Sequence, residues 1–232
     1  MPHHASKNFD NRYSKSVQQE VESKLHNLAG LSQADFRQAI NAANMSRNDE
    51  TTNSTKSYAG VSFYHNLIKA LRDILAPKGF EAYSYRGVEM VVHKQLAIVV
   101  CKGDESTGNI NQSPFSAHKK GSMTLELFGL VQNDHPDQKT LFDKTSALKI
   151  NQGKLQLELD GKQRDIWIVM HYSEKLATGD YHVAAELSQP STYDSQGYIN
   201  SFNERIILNL NESEPIGGTP STFTDNIDFD IE

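Results

Sequence analysis

The sequence predicts an α+β protein: a largely antiparallel sheet with helices on one face, an N-terminal helical hairpin and a disordered acidic C-terminal tail. Three observations predict it. Apolar residues recur at helical spacing up to Ala76, the period changes to two from Glu81, and the runs Leu96 to Cys101 and Ile166 to Met170 are apolar throughout. Unbroken apolar runs of this length suit strands covered on both faces, and a sheet with packed helices is the natural way to bury all three patterns together.

Residues 1 to 14 are polar and unpatterned. From Lys15, the positions Val17, Val21, Leu25 and Leu28 recur at helical spacing, with Gly30 as a stop. A second helix follows: Ser32 is the expected N-cap, Asp35 stands where a capping box places its acid, and Phe36, Ala39, Ile40 and Ala43 form the stripe. The short turn between them also fits a helix-turn-helix DNA reader, although the second helix offers only Arg37 and Arg47 as cations. Arg47 to Ser57 contains no apolar side chain and is expected to be a linker. A third helix is expected from about Ser62 to Ala76, closed by Pro77-Lys78-Gly79.

Beyond it, 81 to 93 and 95 to 102 read as a strand pair around His93-Lys94-Gln95, and Met123 to Leu130 as a further strand. Leu155, Leu157 and Leu159 alternate with polar residues and lead into Asp160-Gly161, a hairpin turn. The return strand through Ile166 to Met170 is expected to be central, with Tyr181 to Leu187 and Arg205 to Leu210 adding two more. The expected divisions are therefore a hairpin over 1–46, a linker over 47–57, an α+β body over 58–210 and a flexible acidic tail over 211–232.

Charge is unevenly distributed. The net charge is -6, and six acids with no Lys or Arg lie between Asn211 and Glu232, so the first 210 residues balance at 23 acids against 23 bases. A balanced total leaves room for a local basic face. The single cysteine, Cys101, excludes an intramolecular disulfide and reads as a small buried hydrophobe. No stretch approaches the roughly 18 apolar residues of a membrane span, and Met1 to Lys15 lacks the apolar core of a secretion signal. A cytoplasmic location without membrane partners is expected.

The tail carries the first functional expectation. A Gly/Pro/Ser spacer (Pro215, Gly217, Gly218, Pro220, Ser221) leads to Ile227, Asp228, Phe229, Asp230 and Ile231, which can place apolar anchors in a pocket while carboxylates meet its cationic rim. Over about the last ten residues this resembles the C-termini of bacterial and phage single-stranded DNA-binding proteins, although the chain ends Ile231-Glu232 instead of in that family's Pro-Phe pair. The resemblance implies a phage or mobile-element DNA-metabolism protein, non-enzymatic and without a cofactor, whose body binds single-stranded DNA and whose tail recruits replication or repair proteins. An ordinary solubilising tail is the other reading, and a homo-oligomer is open.

Single-strand binding needs cations along the phosphates and aromatic faces for the bases. Tyr83, Tyr85 and Arg86 on one strand, Lys102 at the end of the next, and Lys119 and Lys120 beside His118 are the candidates; the tyrosines equally suit a half-buried sheet surface. The polar segment Gly103 to Gly121 is either a binding loop or a disordered excursion. Glu89 and Lys102 suggest a second class, a Mg2+-dependent nuclease of restriction-like type, but Val100 stands where its acid-x-Lys dyad needs a carboxylate. Among His171, His182, Glu186, Glu204 and Arg205, a Glu186–Arg205 ion pair across the sheet is the favoured reading over a metal site. No catalytic or metal-binding residue is assigned. A protein–protein adaptor or inhibitor that binds no nucleic acid is the third class.

Overall fold

A computed structural model of the chain describes residues 15–49, 51, 53–55, 57–85, 87–117, 148–151, 154–159, 162–194, 198–208 and 210. Three helices, α1 (Lys15–Asn27), α2 (Gln33–Met45) and α3 (Tyr58–Leu75), precede eight strands: β1 (Glu81–Tyr85), β2 (Val88–Val92), β3 (Leu96–Lys102), β4 (Leu148–Asn151), β5 (Lys154–Leu159), β6 (Lys162–Lys175), β7 (Tyr181–Tyr193) and β8 (Ile199–Leu208). The fold is α+β as expected. Among the described residues no helix is long and apolar enough to cross a membrane.

β6 organises the sheet. Its Asp165 to His171 pair in parallel with Leu96 to Lys102 of β3, the one parallel pairing among the described strands. Its other edge divides: Lys162 to Asp165 pair with β5, while Ile168 to Lys175 pair with β7. β2 and β1 extend the sheet beyond β3, β4 extends it beyond β5, and β8 beyond β7. Being central, β6 is covered on both faces, which explains its unbroken apolar run.

Alternation sorts those side chains into two cores. Leu96, Ile98, Trp167, Val169, Val183, Ala185, Leu187, Ile206 and Leu208 meet the helices, whereas Met90, Val92, Ala97, Val99, Cys101, Ile166, Ile168 and Met170 face the opposite side. Ile199 and Phe202 from β8 cover that second side. They reach it because the β7–β8 pairing is irregular from Gln189 to Tyr193, where Pro190 cannot donate a ladder hydrogen bond. Cys101 is buried, as its apolar neighbours indicated.

The helical layer belongs to the first core. Leu25 of α1, Phe36, Ala39, Ile40 and Ala43 of α2, and Phe63, Leu67, Leu71 and Leu75 of α3 form one cluster with the sheet residues. Each fully buried Leu or Phe contributes roughly 1.5–3 kcal/mol by leaving water. The capping box at α2 forms as expected: Ser32 Oγ accepts the Asp35 amide at 3.3 Å, and the Asp35 carboxylate accepts the Ser32 amide at 2.7 Å. That carboxylate also pairs with Lys78, whose Nζ donates to the Gly30 carbonyl at 2.8 Å, tying the hairpin to the end of α3. The turn there needs Gly79 at φ +84°, a left-handed conformation that other residues rarely adopt.

Several expectations change. The stretch 81 to 93 is not one strand but the hairpin β1–β2, broken at Gly87 with φ +83°. α3 begins one turn early, at Tyr58, and β4 had no counterpart in the reading. The strand expected over 123–130 lies outside the described residues.

Candidate functional site

Of the residues singled out for DNA binding, only Tyr83 and Lys102 have described side chains, and these two do not meet. Tyr83 is half-buried, paired with Met90 and packed on the second core, while its carbonyl accepts Arg72 Nη2 at 3.1 Å. Lys102 ends β3, exposed, in register with His171 on the helical side. Tyr83 and Lys102 thus occupy opposite faces of the sheet. Tyr85 is placed only through its backbone, opposite Val88. Arg86, Lys119, Lys120 and the tail residues Ile227, Asp228, Phe229, Asp230 and Ile231 lie outside the described residues.

The loop after β3 is described to Ala117 and is tied down along that length. Gly103 bridges to Ser116, the Ala117 amide donates to the Lys102 carbonyl at 2.8 Å, and Ser116 exchanges hydrogen bonds with Ile199 of β8. Farther out, the Gly108 amide donates to Glu186 Oε2 at 2.9 Å, and Arg205 donates to the carbonyls of Gln112 and Asn109 at 2.7 and 3.1 Å. Glu186 and Arg205 form the expected pair, bidentate at 2.9 and 2.6 Å, and Ser188 Oγ donates to the same carboxylate at 2.6 Å. This cluster staples the loop to the sheet. With the carboxylate fully occupied, Glu186 is unsuited to hold a metal.

Glu89, the other acid of interest, is also engaged. Arg72 Nη2 reaches its carboxylate at 2.5 Å and Ser84 donates at 2.9 Å, and these hydrogen bonds, Arg72 first, hold the Glu89 carboxyl below the usual carboxylate range. Among the described residues no three His, Cys, Asp or Glu side chains stand close enough to hold a metal ion.

A different constellation lies on the helical side, at the C-terminal end of β6. α2 runs into a 3-10 turn, Ser46–Asp49. Ser46 Oγ caps the helix through the Ala43 carbonyl at 2.6 Å, and Ser62 Oγ of α3 donates to the Ser46 carbonyl at 3.3 Å. The turn is thereby held on α3, and Arg47 projects onto the sheet.

Arg47 is only 4% exposed. Its guanidinium lies 3.7 Å from the Phe63 ring centroid and 4.7 Å from that of Tyr181, and Nη2 donates to Ser173 Oγ at 2.8 Å. Phe63 in turn meets the His171 ring at a centroid distance of 4.6 Å. Asn44 Nδ2 donates to the Tyr181 carbonyl at 3.4 Å. Within this one contact group, Asn44 Oδ1, Arg47 Nε and His171 Nδ1 are buried with no hydrogen-bond partner.

No described carboxylate lies within ion-pair distance of Arg47 or of Lys102. Burial lowers the Arg47 pKa to about 10, so the group is still a cation at neutral pH. Burial, with Arg47 and then Lys102 nearby, pushes His171 down to about 3, which keeps its imidazole neutral. The desolvation of a buried ion costs several kcal/mol. Two ring faces contribute about 2 kcal/mol each when desolvated, and the hydrogen bond to Ser173 about 1.5–3 kcal/mol. The charge is partly compensated, with no counter-anion among the described residues.

Comparison with known proteins decides nothing further: no family description, curated protein or solved structure matches the chain. Of the corner at β6, the sequence points to Lys102 and His171 but not to Arg47 as their neighbour. Arg47 opens a stretch with no apolar residue, the pattern of a linker, and only the alternation of His171, Ser173 and Lys175 on one strand face points to a polar end of β6.

Proposed function

We propose that this protein binds single-stranded DNA, with the corner formed by Arg47, Lys102, Ser173 and His171 receiving a backbone phosphate and the acidic tail recruiting replication or repair proteins. The observation that carries the reading is the buried Arg47 guanidinium, which has no carboxylate partner among the described residues, while Lys102 stands exposed beside the same histidine. An anion completes such a site, and phosphate is the anion that a nucleic acid supplies at every residue. A single strand bends more readily than a stiff duplex to bring one phosphate to a fixed cation. The six acids and the Ile227, Phe229 and Ile231 anchors of the tail support a separate role, capture of a partner with an apolar pocket and a cationic rim.

Binding of a labelled oligonucleotide, followed by fluorescence anisotropy at about 50 and about 200 mM salt, tests this. Affinity falls about tenfold across that range if two to three phosphates are neutralised. Deleting residues 222–232 leaves or strengthens DNA affinity and abolishes partner capture. Absence of single-strand binding at the lower salt overturns the proposal.

A further inference from the structure

We infer that the groove between α3 and the β1–β2 hairpin seats an unpaired guanine base of the bound strand. This rests on the proposed single-strand binding and adds a base preference to it, at a place separate from the Arg47 corner. The groove is a recess of about 350 Å3 lined by His65, Ile68, Lys69, Arg72 and Asp73 of α3 and by Glu89 of β2. Small-ligand sites span about 300–1,000 Å3, so one base with part of its sugar is the right size of guest. The groove lies on the helical side of the sheet, the side that also carries Lys102 on the neighbouring strand β3.

Two stripes of α3, each spaced i,i+4, build it. Ile68 and Arg72 form the inner one. Ile68, 4% exposed, is an apolar floor. Arg72 is committed to the fold, because its Nη2 donates to Glu89 at 2.5 Å and to the carbonyls of Tyr83 and Met90 at 3.1 and 3.4 Å. His65, Lys69 and Asp73 form the outer stripe. Lys69 Nζ meets Asp73 Oδ2 at 2.8 Å, but the two side chains are 74% and 64% exposed, and a pair so exposed yields readily to a ligand. Asp73 Oδ1 accepts no hydrogen bond from the described residues. The exposed His65 ring is braced by Tyr64, nearly perpendicular at 5.4 Å, and gives a base a surface on which to stack.

The Lys69–Asp73 pair sets one donor beside two acceptor oxygens. Guanine carries the complement along one edge: the O6 acceptor, followed by the N1–H and N2–H donors. No other base places two donors side by side. Adenine alternates donor and acceptor, cytosine has one donor beside two acceptors, and thymine has one donor between two acceptors. In a duplex the guanine edge is taken by cytosine, so the groove reads guanine only in an unpaired strand.

The test uses the full chain and a labelled dT tract, either unbroken or with one central dG, dA or deoxyinosine, which is guanine without its N2 amino group. The dG strand is expected to bind about tenfold more tightly than the dT and dA strands, with deoxyinosine between them. Asp73→Asn turns one acceptor into a donor at an exposed position; it removes the dG preference while thermal melting reports an intact fold. Equal binding of all four strands overturns the inference and leaves single-strand binding standing, and no binding of any strand removes both. A dG preference that survives Asp73→Asn also overturns it. So does free dGMP that displaces the strand at the strand's own concentration, which assigns the groove to a free nucleotide instead.

Discussion

Replacing Glu186 by glutamine is the most informative perturbation of the fold, because one carboxylate holds three separate pieces of chain. It is fully buried and accepts two hydrogen bonds from Arg205, one from the Gly108 amide and one from Ser188. Glutamine keeps the shape but sets an NH2 group against donors and leaves the Arg205 guanidinium, 19% exposed, without its counter-charge. Removing one partner of a buried pair costs about 3–5 kcal/mol, a large part of a total stability of roughly 5–15 kcal/mol. With a urea dependence of about 2 kcal/mol per molar, the unfolding midpoint falls by roughly 1.5–2.5 M. Arg205 also holds the carbonyls of Asn109 and Gln112, so limited proteolysis cuts within 103–117 earlier than elsewhere. A midpoint shift below about 0.3 M for the single variant refutes the reasoning.

Other perturbations separate the remaining contributions. His171, held down at about 3, binds no proton in the folded chain where the unfolded chain, with a histidine pKa near 6.5, does. Its contribution is therefore complete above about pH 6.5 and is lost as pH falls toward 3; His171→Leu flattens that limb of the stability curve, and an unchanged limb counts against the assignment. Arg72→Met lets the Glu89 pKa rise toward its ordinary value in a carboxylate NMR titration, because the Arg72 hydrogen bond is the leading cause of its depression; no movement means that the bond is absent in solution. Gly103→Ala places a methyl group 2.1 Å from Thr107 Oγ1 and 2.7 Å from Met170 Cγ, and overpacking of that kind costs about 1–3 kcal/mol in urea unfolding; a neutral result means that the loop stem yields freely. Ser32→Ala removes half of the α2 capping box and costs about 1 kcal/mol, read as a lower thermal midpoint.

The helices and the inner strands were legible in the sequence because local rules set them. Ser32 with Asp35, and Pro77 to Gly79, are end signals whose hydrogen bonds close within a few residues, and both operate as written. The run Ile166 to Met170 announced a strand covered on both sides, which is the position of β6. Errors arose where a local pattern was ambiguous. Tyr85 to Val88 carries no proline or Asn-Gly pair, so Gly87 alone marked the β1–β2 turn. The bend that carries Ile199 and Phe202 over the second core depends on β7 and β8 slipping register, which no period within either strand reveals.

The candidate site was illegible for a stronger reason: a neutral body conceals where its charges are spent. Glu186 takes Arg205, Glu89 takes Arg72, Asp35 takes Lys78, Asp73 takes Lys69, and Glu20 and Glu204 share Lys24. Each pairing is a tertiary or helical-turn contact that removes a cation and an acid together from the outward field. What persists is set by the cations left over, and among the described residues Arg47 and Lys102 are two of them, brought to one corner by the α2–α3 packing and the parallel β3–β6 pairing. Composition sums over both kinds of charge and cannot distinguish them. A polar stretch such as 47–57 therefore reads as solvated even when its first residue is buried, and the distinction emerges only when α3 and β6 are in place to stack on it.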